Sequence, residues 1–201
     1  KLGFVGVGVM GEKMCRNLVQ KSKRPVLAFD QMPAPLRRLS EHGVEAANSL
    51  ADVMARSDIV FLSLPGEPQV REVVLGPNGL LAHAKPGQII VDCSTCPVRL
   101  AQEIDVAAKA KGVRFLDAPV ARGVTAAENG TLNFMVGGEA GDFAEIEPFL
   151  KCMGGDITLC GAAGAGQAVK LMNNMIVVQT VRAIAEALKV AQESGAVDGK
   201  V

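Results

Sequence analysis

Three glycines near the N-terminus constrain this chain more than any other feature. Gly6, Gly8 and Gly11 fall in GFVGVGVMG, after the apolar run LGFV and before a helical pattern, Met10 to Lys21, that sets Met14, Leu18 and Val19 on one face. Glycines at these offsets on a strand-to-helix junction have separate duties. The first permits a tight turn, the second admits a pyrophosphate to the backbone, and the third lets helix and strand pack closely. The helix N-terminus then offers free N–H groups and the positive end of its dipole to phosphates. Asp30 closes the next strand, RPVLAFD, 19 residues beyond Gly11, near the spacing of about 20 expected for a carboxylate that meets a ribose. Such a carboxylate repels a 2′-phosphate, and Gln31 and Met32 supply no adjacent cation. The motif therefore predicts NAD rather than NADP, with Arg37 and Arg38 on a solvated helix face.

The rest of the chain repeats the strand–helix alternation. SDIVFLSLP, GQIIVDCST and VRFLDAPV read as strands, with VEAA as a possible short one. PAPLRRLSEHG, PQVREVVLG and VRLAQEIDVAAKAKG read as helices. Helices of about 10–15 residues between buried strands predict right-handed βαβ units and a doubly wound, mostly parallel sheet of the Rossmann type. Beyond Val120 the rhythm loosens. ARGVTAAENGT reads as a loop with a turn at Asn129–Gly130, LNFMVGG and DITLCG as strands, and DFAEIEPFLKCMG as a helix. GAAGAG then opens a last helix that runs to about Gly195. The expected division is a dinucleotide-binding domain over 1–163 and the start of an all-α domain over 164–201. The tail AVDGKV cannot close a core alone, so the natural protein is expected to continue beyond Val201.

Composition excludes several kinds of chemistry. The 201 residues are 49% hydrophobic, and 21 acidic residues balance 21 basic ones. A globular protein follows, with no charge excess for nucleic acid and no apolar run long enough to span a membrane. The five cysteines are odd in number and irregular in spacing, as expected of a reducing compartment. Cys93 and Cys96 form a lone C-x-x-C, read as ordinary buried thiols and not as a metal site. No signal peptide is visible. A cytoplasmic location is expected; the mitochondrial matrix stays open because the sequence starts at Lys1. With no Tyr, no Trp, and only His42 and His83 remote from the glycine motifs, proton transfer falls to Lys or a carboxylate.

GAGQAVKLMNNMIVV, Gly164 to Val178, offers such a lysine. Lys170 and Asn174 stand four residues apart and share a helix face, with Asn173 beside them. Apolar neighbours and the positive end of the helix dipole both disfavour an ammonium there. The alternative is a lysine whose stem lies on the apolar surface, with two asparagines packed between helices. A third stretch, DAPVARGVTAAENGTL, starts where doubly wound sheets bind ligands. Backbone N–H groups near Gly123 could cradle a carboxylate, and Arg122 either grips it or is a surface charge.

Taken in order, GFVGVGVMG, DAPVARGVTAAENGTL and GAGQAVKLMNN resemble the dinucleotide, substrate and catalytic signatures of the β-hydroxyacid dehydrogenase family, which includes 3-hydroxyisobutyrate dehydrogenases and tartronate semialdehyde reductases. The resemblance implies hydride transfer between NAD and a small 3-hydroxy acid or its semialdehyde. It implies Lys170 as general acid/base and Asn174 as its support and a substrate contact. Cofactor contacts would come from Gly6, Val7, Gly8, Val9, Met10, Gly11, Asp30, Leu64, Pro65 and Thr95. It further implies a C-terminal helical domain that builds a homodimer. The family's loop commonly reads D-A-P-V-S-G-G, whereas Ala121 and Arg122 stand here in place of the serine and first glycine. That departure favours an acid whose anionic group meets Arg122. A noncatalytic NAD-binding scaffold, a phosphosugar dehydrogenase and an imine reductase are the alternatives. The lone Arg122 argues against the phosphosugar, and Lys170 against the other two.

Overall fold

The computed structural model describes residues 1–195; the tail AVDGKV lies outside them. The chain runs β1 (Leu2–Val5), α1 (Gly11–Ser22), β2 (Val26–Phe29), α2 (Pro33–Ser40), β3 (Glu45–Ala46), α3 (Leu50–Arg56), β4 (Ile59–Leu62), α4 (Glu67–Leu75) and α5 (Leu80–His83). It continues through β5 (Ile89–Asp92), α6 (Val98–Lys109), β6 (Arg114–Asp117), β7 (Val120–Ala121), α7 (Gly123–Asn129), β8 (Leu132–Gly137), α8 (Ala140–Met153), β9 (Gly154–Gly161) and α9 (Ala165–Glu193).

The strands form one sheet in the order β3-β2-β1-β4-β5-β6-β8-β7, with β9 on β8. β1 to β6 are parallel, as the alternation predicts. β8 runs antiparallel to β6 and β7, and β9 parallel to β8. Apart from the exposed edge strand β3, the parallel strands are buried on both faces, with residues alternating between two cores. Leu2, Phe4, Ile59, Phe61, Ile89 and Val91 face Met14, Leu18, Ile146 and Leu150 on one side. Val5, Val60, Leu62 and Ile90 face Val53, Val70, Leu100 and Ile104 on the other. The Phe4 and Phe61 rings stack with centroids 6.3 Å apart.

Two sequence expectations need correction. The segment ARGVTAAENGT is not a loop, because Gly123–Asn129 forms α7. Its buried Ala126 and Ala127 pack against α1, and the buried Asn17 amide donates to Ala127 O at 2.9 Å and Glu128 O at 3.1 Å. A side chain 110 residues away thus helps close the helix, beside the local stop at Gly130, whose N–H bonds Ala126 O and Ala127 O at φ 66°. The run VRFLDAPV is two strands. Pro119 lacks an N–H, which interrupts the ladder between β6 and β7, and its carbonyl accepts from Met135. The helices α3 and α5 were not expected either. For α3 the signal was present: Ser49 Oγ accepts the Asp52 N–H at 3.1 Å, and Asp52 returns by accepting from Asn48 N at 3.0 Å.

Candidate active site

The glycine loop between β1 and α1 opens onto a cleft of about 470 Å³. Gly6, Gly8, Val9, Met10, Gly11, Asp30, Leu64 and Pro65 line it, together with Phe29, Met32 and Ser63. Gly6 adopts φ 85°, and a Cβ there would stand 2.4 Å from Ser63 O; a Cβ on Gly11 would stand 2.0 Å from Gly6 O. A Cβ on Gly8, by contrast, meets nothing within 4 Å. Gly6 and Gly11 are thus required by the chain itself, and Gly8 leaves open space beside the start of α1. No side chain caps that helix. Open backbone at an uncapped N-terminus fits a dinucleotide's pyrophosphate.

Asp30 is anchored at the cleft by both oxygens. Oδ2 accepts the Val7 N–H at 2.7 Å, and Oδ1 accepts the Met32 N–H at 2.8 Å. Val7 is itself buried beneath the loop. Arg38 makes a bidentate pair with Glu12 at 2.6 Å, so its guanidinium is already engaged. Thr95 is exposed beyond the end of β5 and does not line the cleft.

A second glycine junction, between β9 and α9, lies across the carboxyl ends of β5 and β6. Its centre is Asp117, the last residue of β6. Oδ1 accepts the Gly164 N–H at 2.6 Å and Oδ2 the Gln167 N–H at 2.8 Å. Gly164 takes φ 92° to present its N–H, and a Cβ on Gly166 would stand 2.3 Å from Met135 O and 2.9 Å from Asp117 Oδ2. Burial pushes the Asp117 carboxyl above its ordinary range, against the opposing effect of these backbone bonds. Asp92, its neighbour in the sheet register, is pushed up to about 7 by burial, opposed by bonds from Ser94 and raised further by the Asp117 charge.

Gln167 completes the junction. Its side chain is wholly buried, with Nε2 donating to Ser94 O at 2.8 Å and Oε1 accepting the Cys96 N–H at 2.9 Å. Ser94 Oγ in turn accepts the Leu64 N–H at 2.9 Å, which links α9 to the wall of the cofactor cleft. Asp92, Ser94 and Gln167, and the bonding role of Asp117, were missed in the sequence. The readable signal was a glutamine between small residues at the start of an apolar helix.

Lys170 and Asn174 are half-buried on the first turns of α9. Desolvation moves the Lys170 amine below its usual pKa. Around and beyond them Met172, Met175, Ile176, Val178 and Val181 are all more than half exposed. Arg122 stands at φ 83°, the left-handed region that glycine favours. Its guanidinium pairs with Asp156 on β9 and donates to Thr131 O at 3.3 Å. Gly123 follows at φ 72°. Cys15, Cys93, Cys96 and Cys152 are buried free thiols. Among the described residues no group of side chains could hold a metal ion, and no helix is long and apolar enough to cross a membrane.

Comparison with known proteins places this geometry. Residues 1–161 match the NAD binding domain of 6-phosphogluconate dehydrogenase. The mitochondrial 3-hydroxyisobutyrate dehydrogenase of Rattus norvegicus is 38% identical over 194 residues, which cover 96% of this chain and 58% of that one. The chain belongs to the β-hydroxyacid dehydrogenase family. The 2-(hydroxymethyl)glutarate dehydrogenase of Eubacterium barkeri, another member, is 39% identical over 195 residues, covering 97% of this chain and 64% of that one. Among solved structures, the Mycobacterium tuberculosis 3-hydroxyisobutyrate dehydrogenase with L-serine superimposes with a TM-score of 0.90 at 39% identity, covering 96% of this chain and 65% of that chain. The chain thus spans less than two thirds of the length of these relatives. The family match supports a nicotinamide cofactor and an oxidoreductase.

Proposed function

We propose that the protein transfers a hydride between NAD and a small 3-hydroxy acid or its semialdehyde, of the 3-hydroxyisobutyrate or 2-hydroxy-3-oxopropionate type. The observation that carries this reading is Lys170: an amine with lowered pKa, on a helix whose start is tied to the carboxyl ends of β5 and β6. In that role neutral Lys170 takes the hydroxyl proton during oxidation, and its ammonium returns a proton to the carbonyl oxygen during reduction. Asn174, one turn on, orients the amine and the substrate oxygen. Backbone around Gly123 holds the acid group, and Arg122 reaches it in competition with Asp156. The Gly6–Gly11 loop receives the pyrophosphate, with Val7, Val9 and Met10 as its backbone, Leu64 and Pro65 flank the rest of the cofactor from the cleft wall, and Thr95 meets it from outside the cleft. The nicotinamide, when bound, supplies or accepts the hydride.

Asp30 supports NAD over NADP, since its carboxylate faces the cleft and Arg38 is held by Glu12. The division at 163/164 fits the exposed apolar face of α9, which suits helices of a C-terminal domain and a homo-oligomer built on it. The expected location is the cytoplasm, with the mitochondrial matrix left open. In the full-length natural protein, Lys170→Ala should lower kcat by at least about 10²-fold, with NADH affinity and thermal stability near wild type. Normal turnover with altered stability would overturn the assignment and favour a noncatalytic dinucleotide-binding role.

A further inference from the structure

α9 begins with a buried polar side chain that neither the cofactor nor the acid group requires. Gln167 is wholly enclosed, yet both ends of its amide are engaged: Nε2 on Ser94 O at 2.8 Å, Oε1 on Cys96 N at 2.9 Å. Its own N–H is held by Asp117 Oδ2 at 2.8 Å. Helix, β6 and the β5–α6 loop therefore meet at one residue. The loop it grips is fixed in turn to the cofactor cleft, because Ser94 Oγ accepts the Leu64 N–H. Lys170 follows three residues later on the same helical face. An apolar residue of similar volume would fill the space but would leave Ser94 O and Cys96 N without these partners. A buried amide satisfied at both ends fixes rotation about the helix axis and translation along it, which hydrophobic packing alone does not.

We propose that Gln167 is the positioning residue for Lys170: its clamped amide sets the distance and azimuth of the lysine relative to the cofactor cleft. The proposal rests on the reading of Lys170 as the acid/base.

The test is a cycle of Gln167→Met, Lys170→Ala and the double variant in the full-length natural protein, with Gln167→Glu as a second variant that keeps the acceptor oxygen for Cys96. Gln167→Met should lower kcat by about 10- to 100-fold, the scale on which an ångström of misplacement acts. KM for the acid and Kd for NADH should stay near wild type. Gln167→Glu should retain more turnover than Gln167→Met. The double variant should be no slower than Lys170→Ala alone, because the two residues act through one group. Wild-type kcat in Gln167→Met, losses that multiply in the double variant, or failure of both Gln167 variants to fold would each overturn the proposal, the last being how a scaffold residue behaves. Undiminished kcat in Lys170→Ala would instead overturn the acid/base assignment beneath it.

Discussion

The two glycine junctions of this molecule look alike in sequence and differ in what fills them. At each, a strand leads into a helix through a left-handed glycine, Gly6 at 85° and Gly164 at 92°, and a carboxylate accepts backbone N–H groups from the loop. At the first, Asp30 takes Val7 N from the side, no side chain caps α1, and the space beside Gly8 is open. At the second, Asp117 lies under the start of α9 and takes Gly164 N and Gln167 N itself. The protein's own carboxylate occupies the place where the first junction leaves room for a ligand's phosphate. A glycine-rich loop at a helix start is therefore a binding site only where the chain has not already satisfied it.

If the second junction is structural, its buried carboxylates should make stability depend on pH. The folded pKa of Asp92 is raised to about 7. Its contribution is therefore fully present below the ordinary carboxylate range and is lost as pH rises through about 7. The effect amounts to on the order of a few kcal/mol at about 1.4 kcal/mol per pH unit. Asp117 is shifted in the same direction. Urea unfolding of wild type and Asp92→Asn across this window should show the variant gaining relative to wild type as pH rises. Parallel curves would mean that Asp92 titrates alike in both states.

The glycines separate the junctions next. Gly166→Ala forces a methyl group against Met135 O and Asp117 and should cost about 1–3 kcal/mol of stability. A Cβ added at Gly8 meets nothing within 4 Å, so in Gly8→Val the Tm should hold. The side chain would enter the phosphate space, and NADH affinity should fall at least about tenfold, roughly 1.4 kcal/mol. The reverse pattern, with Gly8 governing stability and Gly166 governing affinity, would break the distinction.

The smallest effect concerns a third helix start. Arg122 occupies before α7 the left-handed position that Gly164 occupies before α9. Arg122→Gly and Arg122→Ala remove the same guanidinium, but only glycine relieves the backbone. The glycine variant should be the more stable of the two by about 1 kcal/mol in thermal unfolding. Equal stability would show that the loop relaxes around alanine.

The parallel half of the fold was readable because its determinants are local. Apolar runs such as IVFL and IIVD, glycines such as Gly112 at a helix end, and the Gly6–Gly11 spacing each act within a few residues. The same holds for the glycine-rich cleft, whose lining includes Gly6, Gly8, Val9, Met10, Gly11, Asp30, Leu64 and Pro65 but neither Val7 nor Thr95. The side-chain cap of α7 and the partners that the polar groups under α9 find were not readable, since they are distant in the chain. Asn17 closes α7 from 110 residues away, and Gln167 finds Ser94 and Cys96 across 73 and 71 residues. By itself the sequence determined the doubly wound sheet and the glycine-rich loop that opens α1, and it singled out Lys170 as the lysine to test. Tertiary structure alone decided that Asp117 caps a helix, that Arg122 pairs with Asp156, and where α9 stands against the cleft. Hydrophobic period and glycine conformation are properties of short segments, whereas a buried polar group is satisfied only by whatever the finished fold brings to it.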